Sequence, residues 1–455
     1  MSVGTGYLFF PLGMTALLFA CGDSGADPDP RIEALWDDPA RCGAPSYKWL
    51  RDPSIGSLVS FEEDVLLEYD RTTLRSALSM AEVTFPSELQ YDTRVYRFRY
   101  VTQDRGELTE ATAVLVVPTI GPGGPRRLGL LAFLHGTSGF SDRCAPSTGL
   151  LYPVLAAALA SVGYVVVAPD FIGMNGLGAA STQLHPYIVS EPTAIASLDA
   201  VRAGRVLLGD ITGGDLEAER GVLLMGGSQG GHGALATARY APYYAPEEEI
   251  IAVAASVPPS DLVNLGALNA TSWMDGSSNY AAILASLADW YGLDLSEALA
   301  PPHDEQVPEL METMCRPNDL VPDATTVESL FTQPFRELSE AGYPLGLSPW
   351  SCALRENSIP FTSVEPLDHP PTLIVLGELD DLVDTPTERA SFDRLCADGH
   401  RLEYLECQGA NHNDTALGSL SEQLVFLSDR SAGEPWPEEK VCQRTAPVQC
   451  SGAAP

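Results

Sequence analysis

The chain has 455 residues, enough for one large domain or two to three ordinary ones at roughly 100–200 residues each. Hydrophobic residues make up 45%, and glycine and proline number 40 and 36, so a sizeable core is available and a low-complexity or disordered chain is excluded. Basic residues number 26 against 61 acidic ones, a net charge of -35, with Lys48 and Lys440 the only lysines; such a surface repels phosphate backbones and anionic head groups, which argues against a nucleic-acid partner and suits solubility in a salty or extracellular medium.

Tyr7 to Ala20 is an apolar run broken only by Pro11, Gly13 and Thr15. It is shorter than the roughly 20 residues a spanning helix needs and fits the apolar region of a secretory signal. It ends Leu18-Phe19-Ala20-Cys21 and is followed by Gly22-Asp23-Ser24-Gly25, which resembles the lipobox of bacterial lipoproteins. Phe19 is bulky for its place there, and no Lys or Arg precedes Arg31. The reading is a signal over 1–20, a lipidated Cys21, and a chain exported to the cell envelope or secreted, touching membrane only through that anchor. The remaining cysteines, 42, 144, 315, 352, 396, 407, 442 and 450, are even in number and suit disulfides in an oxidising compartment. Local pairing is expected: 42 with 144, 315 with 352, 396 with 407, 442 with 450. No CxxC or His-flanked cysteine pair is present, so no zinc or other metal site is expected.

A Pro/Asp/Gly-rich stretch to about Pro45 reads as tether, within an extension spanning 21–90. Val95–Val101 ("VYRFRYV") alternates as a half-buried strand, and Ala113–Pro118 ("AVLVVP") is a second, after the turn at Asp104-Arg105-Gly106. Leu128–Leu134 and Tyr164–Ala168 are continuous apolar runs, as in parallel strands buried on both faces, and Gly221–Gly227, Ile250–Val257, Thr372–Gly377 and Arg401–Cys407 read as further strands. Helical patterns at 150–162, 191–208, 229–240 and 415–428 separate or follow them. Strands alternating with helices after an opening meander predict an α/β fold, a mostly parallel sheet covered on both faces. The gap of over a hundred residues between the strands at 250–257 and 372–377 is too long for a loop and reads as a helical cap insertion, 264–368. It divides the core into 91–263 and 369–430, with a tail over 431–455.

Gly226-Gly227-Ser228-Gln229-Gly230 is a G-x-S-x-G elbow that follows the strand "GVLLM" and opens a helix. A serine in this sharp turn projects its hydroxyl clear of the sheet, and the helix behind it offers free N–H groups and positive dipole to developing negative charge. A serine hydroxyl needs a base and an orienting carboxylate to attack. His412, in "GANHND" between the last strand and the last helix, is placed to reach over the sheet's carboxyl edge. His135, in "FLHGTSG", reads as a prop for its loop, and His232, four residues after Ser228, as a packed helix residue. For the acid, "TLIVLGELDDLVD" supplies Asp380, with Asp381 as the alternative and Asp384 further on. The oxyanion donors expected are the backbone N–H of Gln229 and, from the loop after "LLAFLHG", that of Thr137, with Gly136 next. The cap aromatics Trp273, Trp290, Tyr291, Phe331, Phe335, Tyr343, Trp350 and Phe361 read either as an apolar lid over the site or as the cap's own core.

The order Ser228, Asp380, His412 is that of the α/β-hydrolases. More narrowly, "GYVVVAPDFIGM", "HPYI", "SLDAVRAG", "GGSQGGHGALATARYAPYYAPE", "PPSDL", "GELDDLVDTP" and "GANH" make the chain resemble the secretory lipase family typified by fungal lipase A enzymes, over about Tyr91 to Ser428. The resemblance implies an α/β-hydrolase fold and cleavage of carboxylic esters, from triacylglycerols to short acyl esters, through an acyl-serine intermediate without a cofactor. It implies Ser228 as nucleophile, Asp380 as orienting acid and His412 as base, with Asp199 and Arg202 in a structural ion pair. The competing readings are a serine peptidase of the same fold and an inactive cell-surface binding protein on a hydrolase scaffold.

Overall fold

The computed structural model describes residues 29–81 and 83–451, with the backbone alone over 63–67. The apolar leader and Cys21 lie outside the described residues. Nine strands build one sheet: β1 (Leu58–Tyr69), β2 (Thr93–Asp104), β3 (Glu107–Pro118), β4 (Arg127–Leu134), β5 (Tyr164–Pro169), β6 (Glu217–Gly227), β7 (Ile250–Ser256), β8 (Thr372–Gly377) and β9 (Leu402–Cys407). Their spatial order is β1-β2-β3-β5-β4-β6-β7-β8-β9. The pairings β1–β2, β2–β3 and β3–β5 are antiparallel, and every pairing from β5 to β9 is parallel. This is the α/β-hydrolase architecture expected from the sequence.

Local chemistry explains the frame. The β2–β3 hairpin closes on Arg105 and Gly106, both at positive φ (48° and 75°), the two-residue turn whose twist matches the flanking strands. In the central strands successive side chains feed opposite layers. Leu130, Ala132 and Leu134 join the core under the helices Ser190–Thr212 and Gln229–Tyr244. Leu131 and Phe133 join the core under Leu151–Ser161 and Leu420–Ser431. Both faces being covered, these strands carry no polar alternation. A buried Asp199 lies between β2 and the helix side, 2.8 Å from Arg202, and also accepts from Thr102 Oγ1 at 2.7 Å and Tyr244 OH at 3.0 Å. Burial still pushes its carboxyl up to about 6. The ion pair implied by the resemblance is present and is structural.

Between β7 and β8 the chain is largely helical and has its own core, centred on Tyr280, Trp290, Phe331, Phe335, Tyr343 and Trp350. Those aromatics fill the interior of this segment. Trp273 is 42% exposed, and the Phe361 ring is met by the guanidinium groups of Arg355 and Arg394, 5.1 and 4.1 Å from its centroid.

Two features depart from the sequence reading. The stretch read as tether contains a helix, Pro30–Asp37, capped by Asp29 and started by proline at its first turn. It docks through Trp36, whose ring nitrogen donates to Tyr243 O at 2.8 Å, and the chain that follows sets Tyr47 and Trp49 on the buried Glu191 at 2.9 Å. The local disulfide pairing is overturned: the bonds are Cys42–Cys352, Cys144–Cys315, Cys396–Cys442 and Cys407–Cys450, so none of 42–144, 315–352, 396–407 or 442–450 forms. Nearness in sequence was a poor guide because the cap folds back over the loop that follows β4, and the C-terminal tail runs along β9, where Val448 bridges Cys407. No helix among the described residues is long and apolar enough to cross a membrane.

Candidate active site

The turn from β6 into the helix Gln229–Tyr244 is made in one residue. Ser228 sits at φ 56° and ψ -119°, a conformation that costs a non-glycine residue on the order of 1–3 kcal/mol and persists only where its surroundings enforce it. They do so by close packing. A methyl on Gly226 would lie 2.2 Å from Gly230 O, and one on Gly230 would lie 2.0 Å from Leu134 O, so neither position admits a side chain. The Ser228 N–H is spent on Ser256 O at 2.9 Å. Gln229 opens the helix, where its N–H has no intrahelical acceptor. Its buried side-chain amide donates to His185 Nε2 at 2.7 Å, and His185 Nδ1 in turn donates to Ile172 O at 2.8 Å. Burial drives the His185 imidazole down to about 3, so it is a neutral strut for the start of this helix.

Asp380 and His412 are brought together from the loops after β8 and β9. Asp380 Oδ1 accepts from the backbone N–H groups of Leu382 (3.0 Å) and Val383 (2.9 Å), which fixes the carboxylate. His412 Nδ1 donates to Asp380 Oδ2 at 2.8 Å, with Oδ1 at 3.0 Å. The two side chains are 6% and 3% exposed. His412 Nε2 is buried with no partner among the described residues. The two loops are laced to each other, Leu379 N–H donating to Ala410 O at 2.9 Å and Glu378 N–H to Cys407 O at 3.0 Å. Asp381 is exposed, and Asp384 caps the helix Thr385–Ala397 through Thr387 N–H at 2.8 Å. Of the three aspartates, only Asp380 meets the histidine.

Thr137 lies in the loop after β4. Its hydroxyl is 2.7 Å from Tyr187 OH, which also accepts from Asn279 Nδ2 of the helix Ser277–Tyr291 at 3.0 Å, tying this loop to the cap. His135 is buried, donates from Nδ1 to Gly136 O at 2.7 Å and is held down to about 4 by desolvation, so it braces the loop as expected. His232, also lowered to about 4 by burial, bonds Asn357 O at 2.9 Å inside the packing. Sequence reasoning missed Asp170, at the carboxyl end of β5. It accepts from Ser147 N–H (2.7 Å), Ser147 Oγ (2.6 Å) and Thr112 Oγ1 (2.7 Å) and so anchors the far end of the Thr137 loop. Its signal was the aspartate directly after "VVVAP", read there only as family pattern.

A cavity of about 1000 Å³ opens between these groups and the cap. Ser228, His412, Gly136 and Thr137 all line it. Its core side is apolar, with Leu151, Leu155, Met225, Leu417 and Leu420, while its cap side is polar, with Asp275, Asn279, Arg316, Asn318 and Asp319. None of the eight cap aromatics lines it. The bond Cys144–Cys315 fastens the polar segment 315–319 beside the site. The described residues contain no group of three or more His, Cys, Asp or Glu arranged to hold a metal ion.

A family model, "Secretory lipase", matches residues 147–439. No curated protein matches the chain. Among solved structures, the rice cell wall degrading esterase LipA from Xanthomonas oryzae is similar with TM-score 0.67 at 22% identity, over 84% of this chain and 98% of that one. A putative hydrolase from Legionella pneumophila gives 0.69 at 22%, over 84% and 100%. Candida antarctica lipase A in its closed state gives 0.62 at 18%, over 88% and 89%. These structural likenesses carry the fold, and the family model carries the function: the chain belongs to the secretory lipase family and is an ester hydrolase of the lipase/esterase type.

Proposed function

We propose that the chain is an exported serine carboxylic-ester hydrolase working through an acyl-serine intermediate. Ser228 Oγ attacks the ester carbonyl while His412 Nε2 takes its proton. Asp380 holds the imidazole in the tautomer with Nδ1 protonated and stabilises the imidazolium that forms. The N–H groups of Gln229 and Thr137 hold the oxyanion. His412 then returns the proton to the leaving alcohol and activates the water that releases the acid. The observation that carries this reading is the unpartnered His412 Nε2, buried in the cavity that Ser228 lines, with the opposite ring nitrogen held 2.8 Å from Asp380. The apolar core wall suits the acyl chain, and the polar cap wall suits an alcohol that carries hydrogen-bonding groups. Residues 264–368 act as the cap that encloses it, and Cys21 is the lipid anchor.

Hydrolysis of p-nitrophenyl esters from acetate to palmitate by wild type and Ser228→Ala tests the assignment. Wild type is expected to cleave and the variant to lose on the order of 10⁶ in kcat. Cleavage by the variant at a wild-type rate contradicts it. Metabolic labelling with a radioactive fatty acid tests the anchor: label is expected on the wild type and absent from Cys21→Ser.

A further inference from the structure

We infer that Tyr152 is a further catalytic residue of this site, its phenol O–H donating a hydrogen bond to the ester oxygen on which negative charge develops, beside the N–H groups of Gln229 and Thr137. The inference rests on the serine-hydrolase reading above. Tyr152 is the second residue of the helix Leu151–Ser161, and it lines the cavity together with Ser228 and His412. Its hydroxyl is located by Gly136: a methyl placed on that glycine would lie 3.2 Å from Tyr152 OH, 3.2 Å from Gly227 O and 3.7 Å from Ser228 Cβ. The phenol and the serine therefore border the same point, next to the loop that supplies the Thr137 N–H.

The ring is held in place. It meets His135 edge-on with centroids 5.5 Å apart and Phe133 at 6.3 Å. The Gly136 backbone lies beside the phenol oxygen. Among the described residues no acceptor takes the phenol hydrogen. Burial keeps the phenol protonated well beyond its ordinary range, so the donor is present wherever the enzyme works. A purely structural tyrosine would need the ring alone.

Tyr152→Phe keeps the ring and removes only the hydroxyl. Steady-state hydrolysis of p-nitrophenyl butyrate by the full chain is expected to show kcat lowered about 10²-fold, the scale of one lost oxyanion donor, with KM within about twofold. Inactivation by diethyl p-nitrophenyl phosphate, whose phosphoryl oxygen occupies the same place, should slow by a similar factor. Expressing that rate per titratable Ser228 makes it independent of the folded fraction. A kcat and an inactivation rate within about twofold of wild type overturn the inference, as does a fall in kcat that appears only together with a lower melting temperature. Wild type that cleaves while Tyr152→Phe matches it refutes Tyr152 alone. Wild type that cleaves no ester refutes the underlying assignment.

Discussion

The two walls of the cavity are built in opposite ways. On the core side each member of the proposed triad is fixed by the frame: Ser228 by a turn that no neighbouring side chain could share, Asp380 by two backbone donors, His412 by Asp380 and by the lacing of its loop to the loop before it. On the cap side Asp275, Arg316, Asn318 and Asp319 are exposed, and the short segment that carries three of them is fastened by one disulfide to the loop after β4. The core wall is specialised for placing a few atoms within tenths of an ångström, and the cap wall for presenting polar groups whose exchange leaves the frame intact. Chemistry should therefore be sensitive to the core wall, and substrate preference to the cap wall.

The sharpest contrast is in turnover. Asp380→Asn is expected to cost on the order of 10⁴ in kcat by favouring the wrong imidazole tautomer, while Asp381→Asn stays close to wild type. Equal losses at both positions would move the acid and break the account of the core wall. Next in size is the fastening of the cap. Cys144→Ser with Cys315→Ser opens a loop closed across 171 residues and should lower stability by about 2–5 kcal/mol, read as a shift in the denaturant midpoint. Retention of full stability would mean that the cap's own core holds it without the bond.

A third effect is pH-dependent and lies behind the site. Glu388 is buried against Ser260 and Asp261, and desolvation pushes its carboxyl up to about 8. The folded state then binds this proton more tightly than the unfolded chain does. The stabilisation is fully present below the ordinary glutamate range and is lost as pH rises from there toward 8. Melting temperature should fall over that interval, and Glu388→Gln should flatten the fall. A profile unchanged by the substitution would show that Glu388 does not titrate there. Smallest is the polar rim: Arg316→Ala should change KM by a severalfold factor with kcat retained, and a loss confined to kcat would place Arg316 in the chemistry.

The same contrast explains what the sequence revealed. Most strands of the parallel block announced themselves as apolar runs, whereas β9 alternates as Leu-Glu-Tyr-Leu-Glu-Cys, and the candidates Ser228, Asp380 and His412 were each sought just past the carboxyl end of a strand. β1 escaped because its pattern carries Glu62, Glu63 and Asp64 in succession, and its register with β2 shifts between Glu63 and Glu68. The disulfides escaped because pairing depends on which distant segments meet, and Cys42 and Cys352 are 310 residues apart. The polar rim escaped because "CRPND" has no period, its position being set by Cys315. Most aromatics of the cap, read either as lid or as core, went to the core, Trp273 being the exposed exception, because a helical segment of this size must bury its own apolar faces before it can spare any for a ligand.

The proposed mechanism requires Ser228 Oγ to be the atom that forms the covalent intermediate. Labelling the purified chain with a fluorophosphonate and mapping the adduct by peptide mass spectrometry tests this directly. A single adduct on the peptide that contains Ser228, abolished by Ser228→Ala and slowed by His412→Ala, is the predicted result. An adduct on another residue, or none from a preparation that still hydrolyses esters, would contradict it.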